Sequence, residues 1–208
     1  DYIISLKIFH NRKVINCSLY QNKKLFLSTI GGKGCTGIII SAKLRLDKIN
    51  NSSILLQKTF FDDLNDLKSK FLKLKKKEYI VAWVDNLSTK LDGIIFYASH
   101  KKKLPIKIKR KELMIPSIFI YFLNLISSYK IFTFFFNKIF KIQNYLRKKI
   151  INNIFDFFFI QDTLKNWNEV FEKKGFFQFQ FRCRFEEMNY IIENLNNIMK
   201  KNNIFSNF

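Results

Sequence analysis

The sharpest alternation of apolar and polar residues in the chain is "FFQFQFRCRF". Phe177, Phe179, Phe181, Cys183 and Phe185 share one face, with Gln178, Gln180, Arg182 and Arg184 on the other. A period of two marks a half-buried strand, so it predicts one over 176–185. The same period runs through "GIIISAKLRL", residues 37–46, with Ile38, Ile40, Ala42, Leu44 and Leu46 on one side. Upstream, "YIISLKIFHNRKVINCS" reads as two short strands around a turn near Asn11 and Arg12, and "YQNKKLFLSTI" as a short helix or turn leading into a glycine loop. "EYIVAWVDNL" and "GIIFYAS" predict an antiparallel pair.

Helical spacing appears elsewhere. In 62–77, Leu64, Leu67, Phe71 and Leu74 form a stripe, with carboxylates in the first turn and lysines in the last, which complements a helix dipole. Met188, Ile192, Leu195 and Met199 form another stripe near the end. Residues 113–129, "LMIPSIFIYFLNLISSY", are strongly apolar but contain Pro116 and Asn124 and fall short of the roughly 20 residues of a membrane span. The following stretch mixes Phe with Lys, so 113–149 reads as buried or interfacial helix. Polar "DKINNSS" is a boundary, and 101–112, "KKKLPIKIKRKE", a charged connector. The sum is an α+β fold.

The formal net charge of +21 over 208 residues changes the list of partners. Most of it is lysine, spread along the chain, whereas base readout favours the arginine fork. Nucleic acid is therefore disfavoured against acidic lipid headgroups or anionic substrates. Cys17, Cys35 and Cys183 are an odd, widely spaced set with no C-x-x-C pair, so neither a disulfide framework nor a zinc site is expected, and the default is a reducing compartment. His10 and His100 lack partner spacing for a metal site or a triad. Nothing near Asp1 has the form of a signal peptide.

"GGKGCTGIII", residues 31–40, writes G-x-G-x-x-G with Gly32, Gly34 and Gly37. A dinucleotide fingerprint of the doubly wound type needs a helix after the loop and an acid about 20 residues on. Here a strand leaves the loop, "SILLQK" offers no acid, and no Walker Gly-Lys-Ser/Thr follows. What remains is a tight turn or a close approach of backbone to something else. Gln178 and Gln180, two residues apart, could present amides to one planar ligand or belong to a solvated face. Trp83 and Asp85 share a face in the same way, either as a site or as a core indole and a turn-capping carboxylate.

In order along the chain, "CSLYQNKKLFLSTIGGKGCTGIIISAKLRL", "EYIVAWVDNL", the helix start at Pro116–Asn124 and "NWNEVFEKKGFFQFQF" resemble the flavin-dependent oxidases typified by decaprenylphosphoryl-β-D-ribose oxidase, within the vanillyl-alcohol-oxidase type. The glycine loop is shared widely in that superfamily, whereas A-W-x-D, N-W-N and G-F-x-Q-x-Q in that order are narrower. The resemblance implies the end of an FAD-binding domain over 1–48 and an antiparallel-sheet substrate domain with flanking helices over 49–208. It implies FAD along Gly32, Gly34, Thr36, Gly37, Ile38 and Ile39, with Gln178, Gln180, Trp83 and Phe158 facing flavin or substrate.

The family's pocket tyrosine is replaced by Phe158, and its loop Asn or Met by Lys33. Its active-site lysine would lie beyond Phe208 and its pyrophosphate loops upstream, so the resemblance implies an internal piece without a catalytic residue of its own and no metal. The implied reaction oxidises a secondary sugar hydroxyl, the sugar being polyprenyl-phosphate-linked. A cytoplasmic location with peripheral membrane contact and a partner epimerase or reductase complete the expectation. Two rivals are a superfamily oxidase of soluble alditols or aldonolactones and a non-enzymatic membrane-peripheral module.

Overall fold

The computed structural model describes residues 2–49, 51–100, 109, 112–114, 116–118, 120–121, 129–146, 149–159, 161–163, 165–166, 169, 181–202 and 204. The chain divides into two compact units, Asp1–Asn50 and Asn51–Phe208, and the fold is α+β.

In the first unit β1 (Ile3–His10) and β2 (Lys13–Ser18) form an antiparallel hairpin. Asn11 and Arg12 turn it with φ of 47° and 60°, the left-handed values that match the twist of the strands they join. β3 (Ile38–Leu44) pairs with the other side of β1, giving the order β2-β1-β3. Helix α1 (Lys23–Thr29) closes one face, where Leu6, Ile8, Cys17 and Phe26 are buried together. Burial pushes the Cys17 thiol up against the smaller opposing effect of the Leu6 carbonyl, so Cys17 packs as a protonated apolar side chain.

All seven residues of β3 are exposed, although its alternation suggests one buried face. The physical reason lies in its place. β3 is an edge strand, and the buried cluster draws its members from β1, β2 and α1 alone.

The second unit is a sheet of β4 (Ser53–Phe61), β5 (Tyr79–Val84), β6 (Gly93–Ser99) and β7 (Lys149–Asn153), all antiparallel, in the order β5-β6-β4-β7. Helix α2 (Leu64–Leu74) starts at Asp63, whose carboxylate accepts from the Asp66 amide at 2.8 Å. Its Leu64 and Leu67 join Phe61, Leu91 and Ile95 in one core, against which Met188 and Ile192 of α5 (Met188–Lys201) pack. Ile54, Leu56 and Ala98 face the other way, onto Ile154 of α4 (Ile154–Phe158). Helix α3 (Lys130–Leu146) meets that second face through Phe140, whose ring packs on Trp83 and Phe96.

Two strands, β4 and β7, are not foreshadowed by alternation. β4 contributes Phe61 to one core and Ile54 and Leu56 to the other, and a strand covered on both faces shows no clean alternation. Conversely, 181–184 form no strand, and Phe185–Glu187 make a 3-10 turn into α5. Glu186 and Glu187 favour the start of a helix, and Glu187 pairs with Arg184 at 2.9 Å. The rest of the expected strand, including Gln178 and Gln180, lies outside the described residues.

Candidate functional site

The glycine loop is a chain of turns that runs directly into β3, with no helix between. Gly32 N–H donates to Thr29 O (3.1 Å), Cys35 N–H to Gly32 O (2.9 Å) and Gly37 N–H to Gly34 O (3.3 Å). Gly31, Lys33, Gly34 and Gly37 take φ of 76°, 49°, 82° and 136°. The motif glycines serve different ends. A Cβ on Gly32 would run into the Ser28 carbonyl oxygen, and one on Gly37 into that of Phe9, so both are required by the fold itself. At Gly34 nothing lies within 4 Å of where a Cβ would stand. That backbone is open to an incoming surface.

Thr36 anchors the loop from both ends. Its carbonyl lies 2.6 Å from His10 Nδ1, which must therefore carry the proton. Its hydroxyl is 2.9 Å from that of Thr29, whose own hydrogen goes to Leu25 O at 2.7 Å, so Thr36 donates to Thr29. Beyond the loop, Ile38, Ile39 and Ile40 are 69%, 51% and 52% exposed, an apolar ladder with no cover in this unit. A shallow recess of about 390 Å3 lies elsewhere, on the sheet face carrying Lys7, Asn16, Ser18, Ser41 and Lys43, and does not include the loop.

In the second unit, Trp83 stands at the end of β5 under helix α3. The Phe140 ring meets it edge-on with centroids 5.1 Å apart, and Lys141 Nζ lies 5.8 Å from its centroid. Two residues on, buried Asp85 accepts from Asn137 Nδ2 at 2.8 Å and from the Leu87 amide at 3.1 Å. Lys141 Nζ bridges Asp85 (2.8 Å) and Asp92 (2.6 Å). Burial alone would raise the Asp92 carboxyl, but hydrogen bonds from Lys141 and Ser88 and the nearby ammonium outweigh it and hold it below its ordinary range. Burial also works against the Lys141 ammonium, and bonds to the two carboxylates more than offset this, raising it above the ordinary lysine value.

Trp83 and Phe158 do not meet. Phe158 is 51% exposed and packs edge-on against Tyr79 at the opposite end of β5, 5.1 Å between centroids, four residues and about 13 Å from Trp83. Asp85 does cap a turn, but it also joins a cluster with Asn137, Lys141 and Asp92 that the reading of the sequence missed. Its signal was there: Thr133, Asn137, Lys141 and Asn144 recur at helical spacing within 130–146, opposite a row of Ile and Phe. No three His, Cys, Asp or Glu side chains converge as a metal site among the described residues. No family model matches the chain, and no curated protein matches it.

Proposed function

We propose that the chain belongs to an FAD-dependent oxidoreductase that oxidises a secondary hydroxyl of a sugar carried on a polyprenyl phosphate. The observation that carries the proposal is the glycine loop. It is tied through Thr36 to Thr29 and His10, leaves the Gly34 backbone open, and passes without a helix into three exposed isoleucines. The φ of 82° at Gly34 is what a tight turn asks of a glycine, but a turn alone does not need the bare apolar strand that follows it. An isoalloxazine or adenine ring, flat and apolar with polar edges, suits both features.

FAD would supply the hydride acceptor, and the protein the orientation of the carbinol carbon against it. Gly32 and Gly37 would shape the loop, Gly34, Ile38 and Ile39 would approach the cofactor, and Thr36 would act by anchoring. Gln178 and Gln180 would present amides to flavin and substrate, with Trp83 on the substrate side. We place the protein in the cytoplasm, with a reductase or epimerase acting on the ketone product. Among the described residues no helix is long and apolar enough to cross a membrane.

Gly34→Asn tests the reading, because Asn tolerates positive φ better than other side chains and would project into the open space. In the protein that carries this sequence, it should abolish the visible flavin absorbance after purification while leaving circular dichroism and thermal melting close to wild type. Full flavin content in a folded Gly34→Asn protein would refute it, as would a wild-type protein that binds no flavin.

A further inference from the structure

Helix α3 is built inside out. On an ideal helix, residues 133, 137, 140, 141 and 144 fall on one side, and they are the ones that face inward. Thr133, Asn137 and Asn144 are buried, and Lys141 is engaged with Asp85 and Asp92. The opposite side carries Ile131, Phe132, Phe135, Ile139, Ile142 and Leu146 within about 100° of arc. These six are 55%, 43%, 55%, 54%, 61% and 77% exposed. An amphipathic helix on a sheet normally turns its apolar stripe inward. Here the sheet offers carboxylates where α3 lands, so the polar stripe is drawn in and the apolar one left outside.

We infer that this outward face of α3 lies on the surface of an anionic lipid bilayer. The charge of the surrounding chain selects that partner. From Leu113 to Lys149 there is no acidic residue, while Lys130, Lys138, Arg147, Lys148 and Lys149 are basic in addition to Lys141, whose charge is already met by Asp85 and Asp92. Lys130 and Lys138 have no carboxylate partner among the described residues, and the Lys138 ammonium lies over the Phe134 ring, 4.8 Å from its centroid. A second copy of the chain would bring the same cations together across the contact. Acidic headgroups neutralise them while the acyl boundary takes the Phe and Ile side chains. With 17 residues the helix is about 25 Å long, and its polar stripe is committed to the protein, so it lies along the bilayer rather than through it. The inference stands independently of the flavin reading and places the protein where a lipid-linked substrate is found.

The test is flotation of the protein carrying this sequence with phosphatidylcholine vesicles, with and without phosphatidylglycerol. Wild type should bind the phosphatidylglycerol vesicles, less so as salt is raised. Combined Phe135→Gln, Ile139→Gln and Ile142→Gln should weaken binding by about tenfold or more with unchanged circular dichroism and melting. In Phe135→Trp the fluorescence should shift to the blue on adding anionic vesicles and be quenched by brominated lipid. Unchanged vesicle binding by the triple variant would overturn the inference. So would its failure to fold, which would mean that this face is core. Conversion of a self-associating wild type into a monomer, with no vesicle binding by either, would assign the face to a second copy instead.

Discussion

Replacing Lys141 with Met removes the ammonium from two carboxylates while keeping most of the side chain's volume. Its partners differ in their access to water: Asp85 has 6% of its side chain exposed and Asp92 31%. Stripping one member from a fully buried pair costs about 3–5 kcal/mol, because the other charge is left uncompensated. Asp92 can be rehydrated, and Asp85 keeps the Asn137 amide and the Leu87 N–H. These reduce the expected loss to about 2–3 kcal/mol, with the contact over Trp83 a minor part of it. For a chain of this length that corresponds to a fall of about 5–10 °C in Tm. Urea unfolding of the 208-residue chain, followed by far-UV circular dichroism, measures it. Asp85→Asn added to Lys141→Met should restore at least half of the loss, since the neutral amide needs no counter-charge and can still accept from Asn137 and Leu87. A Lys141→Met chain within about 0.5 kcal/mol of wild type, or a double variant with no recovery, would refute the assignment of this cluster as what holds α3.

The same cluster sets a pH window. Asp92 has a folded value below its unfolded one, so its contribution is complete above the ordinary carboxylate range and is lost as pH falls through the folded value. Lys141 is raised, so its contribution is complete below the ordinary lysine range and is lost as pH rises through its folded value. Urea midpoints should therefore be flat between about pH 5 and 9 and fall on both sides, with both shoulders reduced in Lys141→Met. Gly93→Ala should destabilise by about 1–3 kcal/mol or more in the same assay, because a Cβ there would strike the Trp83 carbonyl oxygen and lie 2.6 Å from the Phe61 ring.

Local pattern carried far in some places. The hairpin around Asn11 and Arg12, the β5–β6 pair and α2 with its Asp63 cap all follow from turn residues, period and capping chemistry within a few positions. β4 and β7 depend instead on partners distant in the chain. β4 is bounded by β6 and β7, and it could not be read until those strands were in place. At the glycine loop, the alternation after Gly37 predicted the strand exit, but the glycine spacing did not show which glycines are needed for packing. That division depends on Ser28 and Phe9 carbonyls brought close by α1 and β1.

Helix α3 marks a deeper limit, because periodicity shows that a helix has two unlike faces without saying which of them turns inward. That choice is made by the surface it meets. Asp85 and Asp92 sit at the end of β5 and just before β6, and Trp83 provides the flat ring beside them. A sheet bearing two carboxylates and one indole is matched better by Asn137, Phe140 and Lys141 than by a row of isoleucines, since burying those carboxylates without donors would cost several kcal/mol. The internal ion cluster and the exposed apolar stripe are thus one consequence of a single docking choice. Neutralising Asp85 and Asp92 together should weaken the preference for this face, so the outward exposure of Phe135 and Ile139 depends on two acids some fifty residues earlier in the chain.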